Sequence, residues 1–407
     1  MKKSIYLDRY AWKHPVFGPT QYHDADIIVV IPAFNEPGID LAINALQSCE
    51  APQGQVLIMV IVNEPEGITS DIHQINQEAF DRLKIDNTRY SMLSCFLSLP
   101  KKKAGVGLAR KIGMDEAVRI FNHHDKSGII TCFDADCSCD PNFLVEIERH
   151  FNQTNSNTAL TFYEHPLQGE NPEAIINYEL YLRYYVDALR WTGFPYAFQT
   201  LGSCISVKSD AYERQGGMNT RKAGEDFYFI HKMTALGKLS EINSTTIYPS
   251  DRLSDRVPFG TGHAVNKYLE KGDPTYPVYA PAIFNDLKDF IDQIPTIYES
   301  KHIIPSLPRS ILAFLKAQDF EQNLAEIIDQ TTDYPSFKKR FFQWFDGLKV
   351  LQFVHFCRDR HYENVPVMEA IKWLNEEYLS PGIELTTKED ALIAFREFDR
   401  KTAFHSK

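Results

Sequence analysis

The sequence predicts an α/β protein, a doubly wound and mostly parallel sheet followed by a helical C-terminal extension. Three observations carry this expectation. Short continuous apolar runs, at residues 26–32 and 56–62, have the length of strands and the unbroken hydrophobicity of strands covered on both faces. Helical stretches separate these runs, the alternation that builds parallel sheets. From about Asp273 onward the alternation stops, and helices follow one another across proline-containing turns.

Residues 1–23 hold Tyr6, Tyr10, Trp12, Phe17 and Tyr22 with Pro15 and Pro19, and read as an irregular arm packed on the body. After the strand at 26–32 comes a helix over 39–49, then the strand at 56–62. A helix reaching about 83, a weaker strand at 91–97, a helix over 104–122 and a strand at 128–133 follow. Asp140-Pro141 has the form of an N-cap with proline in the first helical position. A strand near 158–163, a long helix over 172–190, a strand at 202–207 and a helix over 225–236 complete the body. The expected segments are therefore an arm (1–23), an α/β domain (24–272) and a helical extension (273–407).

In open α/β sheets, ligands bind beyond the carboxyl ends of the strands. Two polar segments fall at such ends: Pro32-Ala33-Phe34-Asn35-Glu36 and Asp134-Ala135-Asp136. Acids spaced by one residue at a strand end point the same way, which suits a hard divalent cation beside a phosphate. A second acidic pair, Glu225-Asp226, follows Gly224 at the start of a helix and offers a carboxylate as a base. Each has a plainer reading as well, as a polar turn, a solvated acidic loop, or first-turn acids that complement a helix dipole.

Composition narrows the classes. Of 407 residues, 43% are hydrophobic and 24% charged, as in globular proteins, and 27 Phe with 20 Tyr supply aromatic surface. A net charge of -11 argues against a nucleic-acid binder, which needs clustered cations to neutralise phosphates. No apolar run approaches the roughly 20 residues needed to span a bilayer, and the first residues lack a signal-peptide core. Seven cysteines without framework spacing suggest reduced thiols and a cytoplasmic setting. Cys132, Cys137 and Cys139 lack the paired spacing of a zinc site. Phe337, Phe341, Trp344, Leu348 and Leu351 recur at helical spacing beside Lys338, Lys339 and Arg340, a pattern shared by a core face and by a helix touching the inner membrane surface.

Four segments in order, Val30-Ile31-Pro32-Ala33-Phe34-Asn35-Glu36, Lys103-Ala104-Gly105-Val106-Gly107-Leu108-Ala109-Arg110, Phe133-Asp134-Ala135-Asp136, and Gly216-Gly217-Met218 with Gly224-Glu225-Asp226, resemble the motifs of family 2 glycosyltransferases. The resemblance covers about residues 24–270 and implies the GT-A fold, with a nucleotide-binding half (24–136) and an acceptor and catalytic half (137–272). It implies that Pro32, Ala33, Asn35 and Glu36 border the donor nucleotide. Asn63 would stand where the family often has an acid contacting the base. Asp136 would ligate a Mn²⁺ or Mg²⁺ ion bridging the donor diphosphate, and Asp134 would contact the ribose or the metal. Asp226 would be the base that activates an acceptor hydroxyl, and Glu225 would orient it.

Arg110 falls in the second motif, placed to contact the donor. The stretch 249–263 offers Arg252 and Arg256 as expected further donor contacts, and the resemblance implies His263 as a candidate third metal ligand. The expected activity is inverting transfer of one sugar from a nucleotide-sugar donor to a carbohydrate or other hydroxyl acceptor. The absence of a Q-x-x-R-W motif favours single addition. Arg110 stands where a dinucleotide fingerprint has its third glycine, and neither a P-loop nor a G-x-S-x-G elbow occurs. A retaining transferase, a sugar-phosphate nucleotidyltransferase and a non-catalytic nucleotide-sugar-binding scaffold remain as alternatives.

Overall fold

The computed structural model describes residues 4–84, 88–169, 171–252 and 260–404. The chain forms two compact units. One gathers residues 1–172, 200–266 and 399–407, the other residues 173–199 and 267–398. The long helix and the last residues thus cross the boundary that the sequence pattern places at 272.

In the first unit, α1 (Ile5–Arg9) precedes β1 (Ile27–Ala33), α2 (Ile39–Gln47), β2 (Val56–Pro65), α3 (Ser70–Arg82), β3 (Ser91–Leu99), α4 (Val106–His123) and β4 (Ile129–Cys132). Then come β5 (Ser138–Cys139), α5 (Phe143–Gln153) and β6 (Thr158–Tyr163). After α6 (Pro172–Trp191), the unit resumes with β7 (Ile205–Lys208), α7 (Ser209–Arg214), α8 (Glu225–Leu236), β8 (Leu239–Tyr248) and the first half of α9 (Thr261–Lys271).

Eight strands make one sheet in the order β3-β2-β1-β4-β7-β6-β8-β5. β1 runs parallel to both β2 and β4, with Ile27 opposite Val56 on one side and Ile129 on the other. β7 is antiparallel to β4 and β6, while β8 is parallel to β6 and the short β5 pairs antiparallel with β8. Every residue of β1 is buried, as is nearly all of β2. Each Val, Ile or Leu so buried stabilises the sheet by about 1.5–3 kcal/mol before the opposing chain entropy. The strand order reverses between β1 and β4, and the crevice of such a sheet opens at that switch point.

Several expectations change. Asp140 does not cap a helix: α5 begins at Phe143 with Asn142 as its cap, and Asp140 instead accepts a hydrogen bond from the Tyr248 hydroxyl at 2.9 Å. Residues 202–204 form a 3-10 turn, so the strand there starts at Ile205. The ten-residue β8 is absent from the sequence reading. Its register against β6 jumps from Ile242 opposite Thr161 to Thr246 opposite Phe162, so Asn243, Ser244 and Thr245 bulge out and break the periodic signal.

The arm packs on α4 through a buried acid. Asp115 accepts hydrogen bonds from the Tyr6 hydroxyl at 2.5 Å, the Tyr212 hydroxyl at 2.8 Å and the Trp12 amide at 2.7 Å, and pairs with Lys111 at 3.0 Å. The next residue, Glu116, is also buried; it accepts from the Val16 amide and pairs with Arg119 at 2.7 Å. Gly217 sits at φ +69, and a Cβ there would lie 1.9 Å from the Tyr6 hydroxyl, so this turn requires glycine.

The second unit is mainly helical: α6 (Pro172–Trp191), α10 (Pro281–Asp292), α11 (Ile294–Ser300), α12 (Arg309–Ala317), α13 (Phe320–Asp329), α14 (Tyr334–Trp344), α15 (Gly347–Arg360), α16 (Val367–Leu374) and most of α17 (Lys388–Lys401). A two-stranded pair, Pro277–Val278 with Val365–Pro366, departs from the all-helical expectation. Phe337, Phe341 and Phe345 are fully buried, with Phe341 and Phe345 against Phe290 at 5.8 and 5.3 Å. The aromatic face of α14 is therefore core, leaving Lys338, Lys339 and Arg340 exposed. Among the described residues, no helix is long and apolar enough to cross a membrane.

Candidate functional site

The loop leaving β1 is shaped by polar groups at the end of β2. Asn63 is buried, and its side-chain amide donates to the Ala33 carbonyl at 2.9 Å, tying the two strand ends together. Asn35 adopts φ +50, and its amide donates to Asn76 of α3 at 2.7 Å. Asn76 in turn donates to Glu64 at 3.1 Å, and Glu64 lies 2.9 Å from His73. The left-handed turn at Asn35 is thus held by α3. Glu64, Asn76 and His73 escape the sequence reading; the available signal is a carboxylate, Glu64, inside an otherwise apolar strand. Pro32 and Ala33 are the last residues of β1, and Glu36 is 2% exposed.

Arg252 explains how Glu36 is tolerated there. Its guanidinium grips Glu36 through two hydrogen bonds, at 2.7 and 2.5 Å, and also lies 3.7 Å from Asp136. A bidentate arginine compensates a buried carboxylate well, and it joins the loop after β1 to the acids after β4. Arg252 is held by protein carboxylates, where the sequence reading has it facing a donor phosphate.

Arg110 is the second such clamp. It sits in the first turns of α4, is 2% exposed, and pairs with Asp134 at 2.6 Å and with Glu225. Its burial between two carboxylates makes it a residue that positions acids. One cation therefore links the strand-end acids to the first turn of α8. Gly107 allows this approach, because a Cβ there would lie 2.1 Å from the Arg221 carbonyl.

Asp226 follows Glu225 and is half-buried. Burial, and next the adjacent Glu225 charge, push its carboxyl up to about 7, against the opposing pull of Arg110. The Phe227 amide donates to it at 2.8 Å. A carboxyl poised near neutral pH is what general-base chemistry requires.

The donor chemistry fits a hard divalent ion in part. Asp134 and Asp136 are partly exposed carboxylates, at 35% and 29%, each already beside a guanidinium, so the position favours positive charge. Mg²⁺ and similar ions commonly take one or two carboxylates and complete their shell with phosphate and water. His263 is exposed in the first turn of α9. Among the described residues, no group of three His, Cys, Asp or Glu gathers as a metal site. The structure therefore does not bring His263 to Asp134 and Asp136. Arg256 lies outside the described residues. Cys132 and Cys137 are buried thiols whose pKa burial raises, and Cys139 lies 3.7 Å from Cys49.

No model of a known protein family matches the chain, and no curated protein matches it. Among solved structures, the 1–349 segment of S. aureus TarS in complex with UDP-GlcNAc is similar at 12% identity and TM-score 0.40, covering 92% of this chain and 91% of that one. A longer S. aureus TarS structure aligns at 14% identity and TM-score 0.39, over 87% of this chain and 55% of that one. A mycobacterial protein aligns at 16% identity and TM-score 0.33, over 57% and 67%. At TM-scores below 0.5, these likenesses are too distant to inform the chemistry of this chain.

Proposed function

We propose that this protein transfers a single sugar from a nucleotide-sugar donor to an acceptor hydroxyl, with inversion and with Asp226 as general base. The observation that carries this reading is the buried Arg110, which joins the strand-end acid Asp134 to the Glu225-Asp226 pair. A phosphate-side cluster and a carboxyl raised to about 7 then share one scaffold at the switch point of the sheet.

In this mechanism, Asn35 and the end of β1 border the nucleotide. Asp134 and Asp136 would hold a Mn²⁺ or Mg²⁺ ion. When bound, the ion neutralises the charge that builds on the departing nucleoside diphosphate. Asp226 takes the proton of the acceptor hydroxyl as its oxygen attacks the anomeric carbon. The bond from that carbon to the diphosphate oxygen breaks, and its electron pair leaves with the nucleoside diphosphate. Glu225, fixed by Arg110, keeps the first turn of α8 in place and raises the basicity of Asp226.

The experiment is a transfer assay with a panel of nucleotide sugars, with and without Mn²⁺. Asp226→Asn is expected to lower turnover by about 10²–10⁴-fold with donor binding nearly intact. Turnover of the unaltered protein should decline as pH drops below about 7, where Asp226 takes up a proton. Asp136→Ala should lose metal-dependent binding of a nucleoside diphosphate in calorimetry. Wild-type turnover in Asp226→Asn would remove the base assignment, and an anomeric product of retained configuration would replace inversion by retention.

A further inference from the structure

Two loops beside Asp226 carry a concentration of cations that the reaction above does not use. Lys101, Lys102 and Lys103 follow the end of β3, and Arg221 with Lys222 precede α8. All five are exposed. The loops are in contact: Lys222 Nζ donates to the Lys101 carbonyl at 3.1 Å, and a Cβ on Gly105 would stand 3.4 Å from Lys222 Cα. Arg221 is held over the Tyr228 ring at 3.8 Å, and its amide donates to Asn219 at 3.0 Å. Among the described residues, none of the five pairs with a carboxylate. Glu66, whose amide bonds Leu99 next to this loop, pairs with none of them. In a chain of net charge -11, five cations on two touching loops, without a carboxylate partner among the described residues, form a local positive field.

The patch is joined to the base. Asn219 donates to the Glu225 carbonyl at 2.9 Å, and the Arg221 carbonyl packs against Gly107, one turn from Arg110. We propose, resting on the transferase reading, that these loops bind an acceptor bearing several anionic groups of the phosphate class. Its anions would lie along Lys101, Lys102, Lys103, Arg221 and Lys222 while one hydroxyl reaches Asp226. A soluble polyanion is favoured over an anionic membrane, because none of the exposed large apolar residues (Ile5, Tyr10, Leu41, Leu269, Ile383 and Ile393) belongs to either loop. Insertion of apolar side chains is what secures a basic surface to lipid.

The test titrates the full-length protein with short-chain inorganic polyphosphate across a salt series. The charge reversal K102E/K103E is compared with K338E/K339E, the same change in charge on the exposed face of α14 in the other compact unit. The patch assignment predicts about a tenfold or greater loss of affinity for K102E/K103E, a shallower salt dependence, and an unchanged unfolding temperature. K338E/K339E should bind like the unaltered protein. Equal losses in both variants, or none in K102E/K103E, overturn the proposal. Vesicles containing phosphatidylglycerol supply the other arm: tighter binding to them than to polyphosphate, lost in K102E/K103E, would replace the acceptor by a membrane surface. Failure of the donor panel with these binding results intact would instead count against the transferase reading alone.

Discussion

Helix α4 serves two acidic clusters, and they are treated in opposite ways. Toward its C-terminal half, Asp115 is saturated by two tyrosine hydroxyls, the Trp12 amide and Lys111, and Glu116 beside it is held by the Val16 amide and Arg119. In its first turns, Arg110 faces both Asp134 and Glu225, with the charge of Asp226 acting on it as well. The Asp115 cluster fixes the N-terminal arm. In the other cluster, burial and then the adjacent Glu225 charge raise the Asp226 carboxyl to near neutrality. Both clusters hold buried acids, so burial by itself does not mark a site here; the second differs in lying beside the partly exposed strand-end acids Asp134 and Asp136.

The largest expected effect breaks the second cluster. Arg110→Met would leave Asp134 and Glu225 without their cation, and removing one partner of a buried ion pair costs about 3–5 kcal/mol. A urea titration at pH 8 should show that loss, and Arg110→Lys, which keeps a cation, should lose less. An equal loss in both variants would mean that the reach of the guanidinium fork, and not its charge, holds the two acids.

The next effect breaks the first cluster. Asp115→Ala removes the acceptor for Tyr6, Tyr212 and the Trp12 amide, and hydrogen bonds to a charged group contribute about 1.5–3 kcal/mol each. A net loss of about 2–3 kcal/mol is expected after relaxation, together with faster amide exchange over residues 5–17. Nucleoside diphosphate binding should persist. If affinity falls as far as in Arg110→Met, the two clusters are one cooperative unit rather than two.

The same contrast explains what the sequence discloses. The strands at 56–62 and 158–163 and the helix at 225–236 are legible because apolar runs and periodicity are local properties. Asp134, Asp136 and Asp226 are legible because acids at strand ends and helix starts are conspicuous against such runs. Partnership is not local. Nothing near Arg110 in the sequence shows that it reaches Glu225, 115 residues away, or that Arg252 reaches back to Glu36 across 216. Asn76 looks like any polar residue on a helix until α3 brings it to the Asn35 amide. β8 fails for a different reason, since its bulge interrupts the alternation by which strands are recognised.

The smallest effect sharpens the comparison most, because it has the unusual sign. Asp226 has a folded pKa of about 7, above the ordinary aspartate value, so the folded state binds its proton more tightly than the unfolded chain does. The resulting stabilisation is fully present below the ordinary aspartate pKa and is lost as pH rises through about 7. The side-chain amide introduced by Asp226→Asn has the shape of the protonated acid and does not titrate. The variant should therefore equal the parent protein near pH 4 and exceed it at pH 8, by about 1–2 kcal/mol once the partial exposure of the carboxyl is allowed for. Denaturation curves at several pH values read this directly. A saturated acid such as Asp115 should give the opposite result, with stability lost on substitution at pH 8. If Asp226→Asn is destabilising at pH 8, then Asp226 belongs with the structural acids, and the charge imbalance around Arg110 is compensated in a way that leaves no base.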